Sequence, residues 1–291
     1  MFMTPILLTS LLVGLAALLA ASWSDVRTRE VPDWLSFALI AFAVGNAVII
    51  SIYAKNPWFL INSSIGLAVG MIIGFFMFYT GQWGGGDSKL IMGLAALIGL
   101  NIKESLLSSS NLLLVFIINI LLVGAFYGII YSLAKALMNF RECRKAAEEK
   151  LKAKPFFIAR IIILMMVLGS LAYLVVAPGF DSAMIFGMCA FVFVLFYLWI
   201  VISCVEKTCM IKETGVGSLT EGDWIVSPII KNKKLILKPS KTGITREEIA
   251  LLKKNSIRKV TIKIGIPFVP SFLFAYIITF LIGNWLGIIM I

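Results

Sequence analysis

Five aspartates stand in this 291-residue chain, Asp25, Asp33, Asp87, Asp181 and Asp223, and it has no histidine. Without imidazole, Ser-His-Asp and Cys-His nucleophiles, HExxH zinc chemistry and most transition-metal sites are excluded. A hydrolase built from these residues would work with carboxylates, lysine or an unassisted nucleophile. Asp25 and Asp87 are the candidate catalytic pair, because each lies at the end of an apolar run. Two carboxylates brought close cannot both ionise easily, so one keeps a proton while the other acts as base. Such a pair activates water for attack on a peptide bond and protonates the departing group, with no metal and no cofactor. Asp87 closes the string Gly84-Gly85-Gly86-Asp87 in front of an apolar segment. The glycines leave the backbone free for positive φ and for close approach of a substrate strand. They are therefore the candidate substrate-binding residues. Asp87 falls where a helix would begin, which favours its anion. A glycine-rich turn capped by an aspartate would give the same string, and the partnership with Asp25 is what favours chemistry.

The rest of the chain must place that pair at a membrane. Hydrophobic residues make up 60% of it and charged residues 14%, with a mean hydropathy of +0.99. A soluble domain is nearer half apolar and a quarter charged, so the excess faces lipid. Candidate crossings lie at 3–21, 34–53, 58–80, 88–100, 112–137, 156–177, 182–204 and 264–291. The fourth is short for a full crossing, since its helix would rise only about 20 Å against a hydrocarbon core of about 30 Å. The first is not read as a secretory signal, because no basic residue precedes it. Lys and Arg concentrate in 22–33, 81–89, 138–155 and 205–263, whereas the alternate loops carry only Lys55 and Lys103. The positive-inside rule makes the basic segments cytoplasmic, with both termini outside and Asp25 and Asp87 on the cytoplasmic side. The net charge of +11 is thereby assigned to lipid headgroups and solvated loops rather than to nucleic acid.

The fold class expected is an all-α polytopic membrane protein with six to eight transmembrane helices and a small cytoplasmic α+β segment. Its parts are a catalytic core at 1–137, a basic cytoplasmic loop at 138–155, a transmembrane hairpin at 156–204, a cytoplasmic subdomain at 205–263 and a last transmembrane helix at 264–291. In the subdomain, 219–228 and 235–239 look like strands, with turns at Gly222-Asp223 and Asn232. Thr245 should cap a helix over 245–255, because Glu248 three residues on completes a capping box.

The residues around the pair carry a resemblance. Ser24-Asp25-Val26-Arg27-Thr28-Arg29-Glu30-Val31-Pro32-Asp33-Trp34 resembles the loop after the first helix in type IV prepilin peptidases and archaeal preflagellin peptidases. Gly84-Gly85-Gly86-Asp87 is similar to the GxGD motif of that family, which is related in mechanism to presenilin and signal peptide peptidase. Glu221-Gly222-Asp223 and Gly265-Ile266-Pro267-Phe268-Val269-Pro270-Ser271-Phe272 resemble the C-terminal region of archaeal members. The resemblance implies an aspartic endopeptidase with Asp25 and Asp87 as its catalytic pair. It implies removal of short class III-type basic leader peptides from precursor pilin or flagellin subunits at the cytoplasmic membrane. The short loop between the first two spans has no CxxC pair, unlike many bacterial members, and so points to the archaeal type, which cleaves without methylating. Stretch 156–204 is an addition relative to the shorter preflagellin peptidases. A presenilin-like intramembrane protease and a transporter or assembly-platform protein are the rival readings. The first would hold its aspartates deeper, and the second would show inverted repeats and midspan charges.

Lesser roles are expected elsewhere. Asp33 and Asp181 look like helix caps, and Asp223 a turn residue. Arg27, Arg29 and Lys89 look like membrane anchors close enough to tune the pair. Gln82 and Trp83 lie where a substrate would enter, although interfacial tryptophan is expected without function. The four cysteines form no CxxC pair, which argues against a disulfide framework or a zinc site.

Overall fold

A computed structural model describes residues 5–103, 111–231 and 234–283. Among the described residues six helices are long and apolar enough to cross a membrane, and the protein is a multi-pass membrane protein. They comprise α1 (Pro5–Thr28), α2 (Asp33–Tyr53), α3 (Trp58–Tyr79), α5 (Leu112–Met138), α7 (Lys154–Val176) and α8 (Phe180–Val205), which runs into a π-helical turn at Glu206–Met210. Between the third and fourth of these lies α4 (Gly85–Ile98). It has 14 residues, a rise of about 21 Å, and it is not among the spans. From Leu90 to Ala96 every side chain is buried, with the small Gly93 among them. Protein covers the middle of this helix. It packs on α1, α2 and α3, so its short length exposes no backbone to hydrocarbon.

The close seat of α4 comes from small residues on α3. Ser63, Gly66, Gly70 and Gly74 recur every three or four residues on one buried face, the spacing that lets helix backbones approach. A Cβ on Gly66 would stand 2.2 Å from the Ala95 carbonyl oxygen, and one on Gly70 2.7 Å from the Ala95 Cβ. Ser63 Oγ donates to the Ala96 carbonyl at 2.8 Å, and Leu100 N–H to the Asn62 carbonyl at 3.0 Å. The two helices therefore run antiparallel along nearly all of α4.

The chain splits into two compact units, 1–128 with 213–291, and 129–212. In the first, α1 to α4 are joined by α10 (Val269–Leu281), which packs along α1. Asn119 of α5 donates to Thr279 of α10 at 2.9 Å inside the buried core. The same unit holds a small α+β piece with its own core around Val216, Ile225, Leu237, Leu252 and Val260. Strands β1 (Ile211–Gly215), β2 (Trp224–Ile225) and β5 (Lys259–Lys263) form a sheet in the order β1-β5-β2. A separate hairpin pairs β3 (Ile229–Lys231) with β4 (Lys234–Leu237). The turn expected at Asn232 lies outside the described residues. Helix α9 (Arg246–Lys254) carries the expected capping box: Glu248 N–H donates to Thr245 Oγ1 at 3.3 Å, and Thr245 N–H to Glu248 Oε2 at 2.9 Å.

In the second unit, the stretch read from sequence as a basic loop is mostly helix, α6 (Phe140–Lys152). Its charges fall at helical spacing, with Arg144 and Glu148 paired at 2.8 Å one turn apart. Lys150 lies over the Trp199 ring at 4.2 Å and hydrogen-bonds Ser203. Helices α7 and α8 pair as the expected hairpin. Of the last span expected at 264–291, α10 supplies 13 residues, and 284–291 lie outside the described residues.

Candidate active site

Asp25 sits in the last turns of α1 rather than in the loop beyond it. The helix continues past the aspartate to Thr28 and ends at Arg29, whose φ of 63° turns the chain back. Side chains hold that turn. Ser24 Oγ donates to the Glu30 carbonyl at 2.8 Å, and Thr28 Oγ1 to the Ser24 carbonyl at 2.9 Å. Asp25 is 5% exposed, and a buried carboxylate needs donors. It finds one outside the N-terminal segment: Val269 N–H, at the first residue of α10, donates to Asp25 Oδ2 at 2.9 Å. The first-turn N–H groups of a helix have no partner within it, and the dipole there is positive, so the end of α10 is suited to a carboxylate. Arg29 also ties the two parts together, since its Nη1 donates to the Gly265 carbonyl at 3.2 Å. Pro270 in the second position of α10 is a residue that favours a helix start.

Asp87 is the third residue of α4, not its cap. Gly84 is the cap, in extended backbone with φ −69° and ψ 163°, and its N–H donates to Asp87 Oδ2 at 3.2 Å. Glycine has no side chain, so this is only the reciprocal half of a capping box. The positive φ expected at the three glycines is absent; it falls at Gly81 instead, with φ 73°. Gly86 is needed for room, because a Cβ there would stand 2.9 Å from Val31 Cβ. Over Gly84 and Gly85 the space is open apart from Asp87 Oδ2 at 3.5 Å and the Phe78 ring at 3.7 Å.

The structure brings the two aspartates within electrostatic reach. Asp87, on the short helix outside the six spans, has its carboxyl pushed up to about 7 by desolvation and then by the charge of Asp25, against the opposing pull of the Gly84 N–H. A carboxyl that holds its proton near neutrality beside a second carboxylate has the acid and the base that peptide hydrolysis needs.

The other candidates separate from the pair. Lys89 reaches Asp33 at 2.6 Å. Asp33 is the first residue of α2 rather than its cap, which is Pro32. Asp181 lies in the first turn of α8, capped by Gly179. Asp223 accepts from Thr220 N–H at 2.8 Å in the expected Gly-Asp turn. Arg27 stacks over Trp23 at 4.0 Å. Gln82 is exposed, whereas Trp83 is buried and packs against Phe272 and Phe268 at centroid distances of 5.1 and 6.2 Å. Trp83 also lines an apolar cleft of about 330 Å³ with Ile72, Phe76, Ile91 and Ile117.

Residues 12–132, which include both aspartates, match the model of the type IV leader peptidase family. Over 87 residues the chain is 40% identical to a preflagellin peptidase of Methanocaldococcus jannaschii, a stretch that is 30% of this chain and 37% of that protein. A preflagellin peptidase of Methanococcus maripaludis is 39% identical over 87 residues, with the same two coverages. The prepilin peptidase EppA of Methanothermobacter thermautotrophicus is 30% identical over 112 residues, 38% of this chain and 29% of that protein. The chain thus spans little more than a third of the length of the curated relatives it matches. No solved structure matches it. The resemblance carried by the residues around Asp25 and by Gly84 to Asp87 is therefore present across the N-terminal helices.

Proposed function

With residues 12–132 matching the type IV leader peptidases, we propose that the chain is a membrane aspartic endopeptidase that removes short basic leaders from preflagellin-like or prepilin-like precursors. What supports this reading is that Asp25 and Asp87, each held by a backbone N–H, lie within electrostatic reach, with the Asp87 carboxyl pushed up to about 7. In the proposed reaction Asp25 takes a proton from the attacking water, and the hydroxide adds to the scissile carbonyl. Asp87 gives its proton to the departing amine as the C–N bond breaks. The substrate backbone lies extended over Gly84 and Gly85, where there is room for it. Its hydrophobic helix stays in lipid beside the cleft at Trp83. The positive-inside bias assigns the site to the cytoplasmic face. The catalytic part is the 1–137 core completed by the start of α10, with 205–263 a cytoplasmic subdomain beside it. A presenilin-like reading would hold the aspartates deeper than the last turn of one helix and the first turn of another.

The test uses purified protein in micelles and a synthetic precursor with a basic leader followed by an apolar helix. Mass spectrometry of the products should show one cut, at the junction of the two. Intact precursor after prolonged incubation, with several precursor sequences, would remove the peptidase reading.

A further inference from the structure

The two carboxylates are held in the same way. Asp87 accepts from Gly84 N–H, and Asp25 from Val269 N–H. Each donor residue directly follows an aromatic one, Trp83 in the first case and Phe268 in the second. These two rings lie 6.2 Å apart, and Phe272 packs edge-on to both, at 5.1 Å from Trp83 and 5.5 Å from Phe268. Trp83 is 6% exposed and Phe272 fully buried. Phe268 is half-buried, and its ring also lies against Gly124 of α5, where an added Cβ would stand 2.5 Å away. Through Trp83 and Phe268 the cluster joins the two backbone segments that hold the carboxylates.

Building on the peptidase reading, we propose that Trp83 and Phe268 are positioning residues that set the separation of Asp25 and Asp87. The aromatic contact acts as a spacer between the start of α4 and the start of α10. A smaller aliphatic residue would let one donor segment settle toward the other and displace its carboxylate. Phe268 does not line the apolar cleft at Trp83, so its change alters the chemical step and leaves binding in place. Misplacement by about 1 Å costs catalysis up to about 10²-fold.

Phe268→Leu and Trp83→Leu test this by steady-state cleavage in micelles, with Phe268→Tyr and Trp83→Phe as ring-keeping controls. The expected result is a kcat lowered about 10²-fold in each leucine variant, KM within about threefold of wild type for Phe268→Leu, and near-normal kcat in the controls. The double leucine variant should lose little more than either single one, because both break the same spacer. An unchanged kcat in either leucine variant, or a loss carried by KM in Phe268→Leu, overturns the proposal. A second measurement does not depend on activity: in a chain with its four native cysteines replaced, Asp25→Cys and Asp87→Cys are joined with bifunctional thiol reagents of graded length, and Phe268→Leu should change the joining rates in favour of shorter reagents. Equal joining rates with and without Phe268→Leu overturn the proposal. If wild type cuts no precursor, the peptidase reading fails, while the joining rates still decide whether the rings space the two positions.

Discussion

Gly66→Ala places a single methyl group far from either aspartate, yet it should weaken both stability and activity. The Cβ it adds would stand 2.2 Å from the Ala95 carbonyl oxygen, 3.0 Å from Gly99 Cα and 3.1 Å from the Ala95 carbonyl carbon. All three obstacles are backbone, and none can rotate away. An ordinary carbon-to-carbonyl contact lies at about 3.3–3.6 Å, so α3 and α4 must part by about 1 Å. Overpacking of this kind costs about 1–3 kcal/mol. It also moves α4, whose first turn carries Asp87, and a displacement of about 1 Å costs catalysis up to about 10²-fold. Gly45→Ala is the matched control, since nothing lies within 4 Å of its added Cβ, and alanine is the better helix former by about 1 kcal/mol. The assay is thermal unfolding in micelles together with cleavage rate, both variants against wild type. Gly66→Ala should unfold at lower temperature and cleave more slowly, and Gly45→Ala should do neither. Equal behaviour of the two variants would refute the backbone contact of α3 with α4 as the seat of Asp87.

Other outcomes follow from the same geometry. In the proposed reaction Asp87 is the acid, and with its carboxyl pushed up to about 7 by burial and by Asp25 cleavage should slow as pH rises through that value; a rate unchanged up to pH values near 9 would contradict the role. Lys89→Ala removes an ion pair at 2.6 Å whose side chains are 36% and 61% exposed. Such pairs are worth less than about 1 kcal/mol, so micelle unfolding should shift little and activity should persist. Thr245→Ala removes the cap of α9 and should cost about 1 kcal/mol, seen as faster amide exchange across that helix.

What the sequence made legible depended on how local each cause is. The α9 capping box follows from Thr245 and Glu248 alone, and the structure reproduces it. The long spans follow from apolar runs of sufficient length. Apolarity cannot distinguish lipid from protein as the buried partner, which is why α4 resembles a short span and is a helix enclosed by its neighbours. High charge similarly made 138–155 look like a loop, although Arg144 and Glu148 at i,i+4 spacing support a helix. Asp33 was expected as a cap because it begins α2, but its carboxylate turns to Lys89, a partner 56 residues away. The donor to Asp25 was out of reach for the same reason. Val269 lies 244 residues along the chain, and no pattern near Asp25 announces it.

The proposed dyad is tested most directly by Asp25→Asn and Asp87→Asn. Asparagine keeps the shape of each side chain and removes the titrating group. Membranes holding wild type or either variant at equal, inserted amounts should be given a leader-bearing precursor. Wild type should release the mature subunit, and each single variant should release none. Cleavage by both variants at the wild-type rate would contradict the two-aspartate account.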